Sequence, residues 1–246
     1  MAHRLNSVSA KEREMTRRLL RGSYNNIIQI YKNAPDELKA EGESWYPEAH
    51  IIARNIGEIA FPRPYTDGDI VSSRYEYRQV LLGAGIIAVF SPQMVWEKNI
   101  RAANVFAGSF NRPVWITNRD YNKAVKMVKC VRENINVEAE DILEILGDGA
   151  VKTRPFFMNI LNPNGPVKLN GITIDRHAIA IYLGDIPNSL QVSRASSKNG
   201  NTQIQTSYKL AAKKLGVHHN SLQATTWLEW RINKGVYDAT QEEHNI

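Results

Sequence analysis

A single cysteine, Cys130, stands in 246 residues. One thiol excludes an internal disulfide, an iron-sulfur cluster and any zinc site built on several thiolates, so chemistry must come from oxygen and nitrogen groups. Long apolar runs are equally scarce. The longest, "VLLGAGIIAVF" at 80–90, carries two glycines and is far short of the roughly 20 residues that a membrane span needs. The opening "MAHRLNSVSAKEREMTRRLLRG" lacks the unbroken apolar stretch of a secretory leader. These absences lead to the expectation of a cytoplasmic protein without a membrane partner. There is no internal repeat and no low-complexity tract. Strand-like alternation is confined to "VKLNGITI" at 167–174, the one strand or hairpin candidate.

What the chain does have is positive charge and helical periodicity. Lys and Arg number 31 against 25 Asp and Glu, a net charge of +6 and a pI near 9.3. That balance suits a polyanionic partner, although many basic proteins bind none. The length allows one large domain or two closely packed smaller ones. Leu19, Leu20, Ile27, Ile28 and Ile30 mark a first helix that ends at Ala34-Pro35, since proline disfavours a helical residue before it. Two helical pieces broken near Gly42–Ser44 come after it, then a loop at 61–69. A helical pair spans 71–110, with Ser91-Pro92 expected as cap and first residue of its second member. Further helices are expected at about 120–133, 137–146, 151–161 and 175–183. The Ser- and Asn-rich stretch 184–206 is expected to be a long loop, and two more helices meet at Gly216-Val217. The chain is mainly α.

One segment concentrates chemistry. In "LEILGDGAVKTRPFFMNIL", 143–161, a helix ends at Leu146, Gly147 and Gly149 form a tight turn, and a new helix begins at once. Glycines tolerate positive φ there, and the exposed amides of the second helix can hold an anion such as a DNA phosphate. An ordinary αα-hairpin explains the same two glycines. Lys152-Thr153 comes next, then five residues and Asn159, and later Ile174-Asp175-Arg176-His177.

Here the sequence resembles the helix-hairpin-helix DNA glycosylases of the endonuclease III type (HhH-GPD). In that family a Leu-x-Gly-x-Gly hairpin precedes Lys-Thr, an asparagine and a Val-Asp-x-His motif. "FSPQMVWEKNIRAANVF", 90–106, looks like the family helix that opens Ser-x-Gln, whose glutamine enters the DNA stack. The resemblance covers roughly 80–183. It implies a mainly α, two-lobed fold for residues 1–246 as a single glycosylase-like unit, with a cleft between lobes. The helix-hairpin-helix lobe is about 80–183, and about 1–79 plus 184–246 form the second. The hairpin here is one residue longer before Lys152, Asp148 adds a negative charge, and the interval to Asp175 is enlarged.

Function by this resemblance is excision of an altered base from double-stranded DNA by a monomer that flips the nucleotide out of the stack. Asp175 would stabilise the positive charge developing on the sugar or deprotonate a nucleophile. Lys152 would be an amine that attacks C1′ and permits strand nicking, making the enzyme also a lyase. Should Lys152 not face Asp175, water is the nucleophile. Gln93 would fill the hole, while Gly147, Gly149, Ala150, Val151, Thr153, Arg176 and His177 would contact DNA. No cofactor is required, no metal or iron-sulfur cluster is expected, and the resemblance allows a monovalent cation at the hairpin. Plainer readings remain: Asp175 as a helix cap, Lys152 as a solvated lysine, His177 as a scaffold residue and Gln93 as an exposed residue at a helix start. His218-His219 lacks neighbours at metal-ligand spacing. Two further functions compete. One is a glycosylase-like enzyme of DNA base modification. The other is a helix-turn-helix regulator built on "AAKKLGVHHNSLQATTW".

Overall fold

The computed structural model describes residue 14 and residues 19–63 and 72–233. Among these residues it is mainly helical and contains no strand. The order is α1 (Tyr24–Asn33), α2 (Asp36–Ala60), α3 (Ser72–Phe90), α4 (Trp96–Ser109), α5 (Asn118–Glu133), α6 (Ala139–Leu146), α7 (Thr153–Leu161), α8 (Val167–Asn170), α9 (Arg176–Leu183), α10 (Ser189–Ala195), α11 (Lys198–Leu215) and α12 (His219–Asn233). Among the described residues no helix is long and apolar enough to cross a membrane. Most of the loop expected at 61–69 lies outside the described residues.

The chain divides into two compact units, Ser44–Thr173 and a unit that joins Met1–Glu43 to Ile174–Ile246. In the first, α3 is the central element. Residues 78–91 are all buried, because the run "VLLGAGIIAVF" is apolar on every side and α4, α5, α6 and α7 all pack against it. Residues 44–60 of α2 join this unit through two glycines. A Cβ on Gly83 would fall on the Ala53 carbonyl, and one on Gly57 on the Gln79 carbonyl, so the two helices cross backbone to backbone.

In the second unit α1 packs on α9, α11 and α12. The Tyr182 carbonyl accepts from Ser23 N and from Asn26 Nδ2, each at 3.0 Å, and the Tyr182 hydroxyl donates to Leu20 O at 3.2 Å. These bonds are what fasten residues 20–26 to the end of α9.

Several local expectations are corrected. Residues 36–60 form one continuous helix; Gly42 does not break it but leaves room for Thr225, whose side chain and backbone a Cβ would strike. Ser91 does not cap the helix after it. Its hydroxyl donates back to Ala88 O at 2.9 Å, finishing α3, and α4 starts only at Trp96 after a turn. The stretch 184–206 is no loop. Asn188 and Gln191 close a capping box on α10, and Ser197 accepts from Gly200 N to start α11. The Ser and Asn residues that suggested a linker are helix caps. Residues 167–170 make one helical turn and 171–174 run without a ladder, so the strand candidate fails. The helix that carries Ile27, Ile28 and Ile30 begins at Tyr24, with Ser23 as its cap, so Leu19 and Leu20 lie before it.

Candidate nucleic-acid interface

The hairpin between α6 and α7 is built by its ends. Glu138 and Asp141 cap α6 reciprocally, and its last turn closes on Gly147, whose N–H donates to Leu143 O at 3.0 Å. Gly147 has φ 85° and ψ 155°, a conformation that only glycine adopts without strain. Gly149 has no positive φ, and a Cβ there would meet nothing within 4 Å, so just one of the two glycines is required by the backbone. Ala150 N donates to Gly147 O at 3.1 Å. The amides of Gly149, Val151, Lys152 and Thr153 donate to no backbone carbonyl among the described residues. Those of Lys152 and Thr153 are unsatisfied donors of a helix start, where the α7 dipole adds positive potential, and those of Gly149 and Val151 belong to the turn before it.

Residues 149–153 line a cleft of about 460 Å³ together with Val89, Pro92, Arg119, Asp120, Lys123 and Leu146. Arg119 and Lys123 lie one turn apart on α5. The Lys123 ammonium donates to the Leu146 carbonyl and so meets the negative end of α6. Asp120 accepts from the Thr117 hydroxyl at 2.7 Å and lies 3.3 Å from the Arg119 guanidinium. Asp148 is fully exposed and stands 3.5 Å from Arg154, which also donates to Leu143 O at 2.7 Å. Arg154 thereby moderates the negative charge placed in the turn. Lys152 is half-buried and belongs to no ion pair among the described residues.

Gln93 is exposed in the turn before α4, at φ 59°. It precedes the helix and does not open it. Half-buried Trp96, the first residue of α4, stands 4.9 Å from Trp45 and 6.5 Å from Phe156, ring centre to ring centre.

Asp175, Arg176 and His177 belong to the unit that joins the chain ends, and Lys152, Gln93 and the hairpin to the other. Asp175 caps α9, its Oδ1 accepting from Ala178 N at 2.8 Å. Its second carboxylate oxygen has no hydrogen-bond partner among the described residues. Arg176 is exposed. The His177 ring meets Trp227 edge to face at 6.3 Å, and the Arg231 guanidinium covers the Trp227 face at 4.5 Å. Tyr208 on α11 is fully buried. Burial raises its hydroxyl pKa, the Thr226 hydroxyl lowers it, and the negative charge of Asp175 raises it further. Among the described residues no group of three or more His, Cys, Asp and Glu could hold a metal ion.

A family model described as "Family of unknown function (DUF7178)" matches residues 9–234. The chain belongs to this family. No curated protein and no solved structure matches it. The DUF7178 match runs through the hairpin, Lys152 and Asp175, and through both units. Within this DUF7178 chain, sequence reasoning missed Arg119, Lys123 and Tyr208. The four-residue spacing of Arg119 and Lys123 carried a readable signal, a basic edge on a helix otherwise patterned by Ala124, Met127, Val128 and Val131. Tyr208 carried none, since a lone tyrosine in an apolar pattern reads as core.

Proposed function

We propose that this DUF7178 member binds duplex DNA at the 147–153 hairpin and excises an altered base, with Lys152 and Asp175 acting on the sugar. One observation carries the reading: four backbone amides without a backbone partner belong to residues that line the same cleft as Arg119, Lys123 and Lys152. Amides at a helix start and several cations suit one phosphate of a backbone, with no base read.

Excision needs more than an anchor. The nucleotide must leave the stack at a cost of a few kcal/mol, least for a damaged or mispaired base. As the N-glycosidic bond breaks, the base leaves with the bonding electron pair and the sugar gains positive charge. A carboxylate fixed by its own helix is suited to stabilise that charge without reorganising. Asp175 is held at Oδ1 by the Ala178 amide, which leaves its other oxygen for the sugar or for a water. Lys152 as nucleophile forms a bond from its amine nitrogen to C1′, and the resulting imine opens the way to β-elimination. With water as nucleophile only the base is lost. An enzyme of base modification would use the same residues. The helix-turn-helix reading is supported less, because α12, its would-be recognition helix, buries residues 219, 220, 222–226 and 228–231 and has little face left for a groove.

The test is a panel of labelled duplexes carrying different altered bases, assayed by anisotropy at several salt concentrations, by release of abasic sites and by borohydride trapping. Binding should weaken with salt, and Arg119→Ala should reduce the log–log slope by about 1. A trapped imine should vanish in Lys152→Ala and base release in Asp175→Asn. Absence of duplex binding, or trapping that survives Lys152→Ala but not another lysine change, overturns the respective assignment.

A further inference from the structure

We infer that the solvent face of α11 is a second contact for duplex DNA, at which Lys198, Lys209 and Lys213 meet phosphates of the backbone and read no base. The choice of DNA rests on the reading of the hairpin, but every residue used here belongs to the other unit, the one that joins the chain ends.

The surface begins in the sequence. Between Asp185 and Glu229 the chain has no acidic residue, while Arg194, Lys198, Lys209, Lys213 and Lys214 all fall in that stretch. Folding then aligns three of these cations. Lys209 lies about three helical turns after Lys198 and Lys213 about one turn after Lys209, so the three share one side of α11 over about 22 Å. All three are exposed, and none belongs to an ion pair among the described residues. Thr202 and Thr206 lie between them on the same side, their hydroxyls turned back to donate to Lys198 O and Thr202 O at 2.8 Å each. Lys214 flanks the stripe. Its ammonium donates to the Tyr24 hydroxyl at 3.3 Å and stands 4.8 Å from the centre of that ring.

Neighbouring helices do not cancel this charge. Of those that pack on α11, α1, α9 and α10 contain no carboxylate, and α12 contains only Glu229, which is buried and accepts from Asn233 at 2.7 Å. Asp175, the cap of α9, acts on Tyr208, on the buried side of α11. A line of like charges repels itself in the free protein, and a partner of opposite sign relieves that repulsion.

The form of the surface selects among polyanions. A helix that lies on an anionic membrane puts an apolar face into the lipid. The apolar side of α11, with Ile204, Tyr208, Ala211 and Ala212, is already buried, and Leu210 is the one exposed large apolar side chain of this helix. Protein interfaces are depleted in lysine and anchored by aromatic residues and arginine, which the stripe lacks. Lysine ammoniums are point charges that take a phosphate from many directions, and a line of about 22 Å runs past roughly six phosphates of one strand.

The full chain is titrated by anisotropy against a labelled, unmodified duplex at several salt concentrations. The combined change Lys198→Gln, Lys209→Gln and Lys213→Gln should reduce the log–log salt slope by about 3 and weaken binding more than about tenfold, alike for duplexes of different sequence. The same three positions changed to arginine should keep the slope within about 1 of wild type. An unchanged slope in the glutamine variant overturns the inference. So does an equal loss in the arginine variant, or a glutamine variant that releases phosphatidylserine vesicles but still holds the duplex. Arg119→Ala reports separately on the hairpin. If it alone weakens binding, the hairpin stands without α11; if the glutamine variant alone does, α11 binds DNA and the hairpin reading fails. A wild type that binds no duplex removes both.

Discussion

The two units bury their central helices on opposite terms. In the unit 44–173, α3 is enclosed over 78–91, and most of what it buries is aliphatic, from Val80 to Phe90. In the other unit α12 is enclosed almost as completely, yet it buries His219, Asn220, Gln223, Thr225, Thr226, Glu229 and Arg231. Apolar burial is favourable wherever it occurs, whereas a buried polar group contributes only modestly when hydrogen-bonded and is costly when it lacks a partner. Among the described residues His219 Nε2 and Thr225 Oγ1 have none. The hairpin therefore stands on a scaffold held by packing, and Asp175 stands beside helices whose interior is polar.

Mutations in the two interiors should separate these terms. The largest effect is expected for Phe157→Ala, at a position of 0% exposure, where the lost contacts and the cavity should cost about 3–5 kcal/mol in urea unfolding. Gly147→Ala comes next, because φ 85° with ψ 155° is strained for any Cβ; it should cost about 1–3 kcal/mol and also weaken DNA binding. Gly149→Ala is its control and should leave the urea midpoint almost unchanged, since the added methyl meets nothing.

The polar interior should respond to acid first. Burial, then the neighbouring charges of His218 and Lys209, holds His219 down at about 4 from 6.5. Between those values the unfolded chain takes up a proton that the folded chain does not, so stability falls as pH drops from 6.5 toward 4. Urea midpoints at about pH 7, 5.5 and 4.5 should show this decline, and His219→Gln should flatten it; an unchanged slope in the variant would assign the decline to other groups. A small effect of opposite sign is expected for Thr225→Val, which removes an unpartnered buried hydroxyl at constant shape. It should be neutral or stabilising by up to about 1 kcal/mol, and a clear loss would mean that the hydroxyl is bonded in solution.

Local chemistry was legible in the sequence where a residue has one dominant use. Asp175 as the start of α9, the α6–α7 hairpin and the joint at Gly216, with φ 69°, were all readable from caps and glycines. Residues with two uses misled. Ser and Asn serve loops and helix starts alike, and between 184 and 206 they serve the starts of α10 and α11. Ser91 has the residue type of a cap for α4, but its hydroxyl closes the end of α3. The candidate site divides in the same way. Lys152 and the hairpin could be named from spacing along the chain, while Arg119 and Lys123 join them only through tertiary packing. Spacing within one helix does not record such contacts.

The hydrogen bonds from Ser23 and Asn26 to the Tyr182 carbonyl carry a consequence for biosynthesis. α1 is translated early, but α9, α11 and α12, against which it packs, emerge more than a hundred residues later. At roughly 5–20 residues per second α1 waits on the order of 10–30 s for them. During that interval the unit 44–173 has its whole sequence available and can collapse around α3. Ile27 and Tyr31, buried at the end, stay without their native cover until the last helices arrive. The order of synthesis thus makes the hairpin-bearing unit first and the Asp175-bearing unit last.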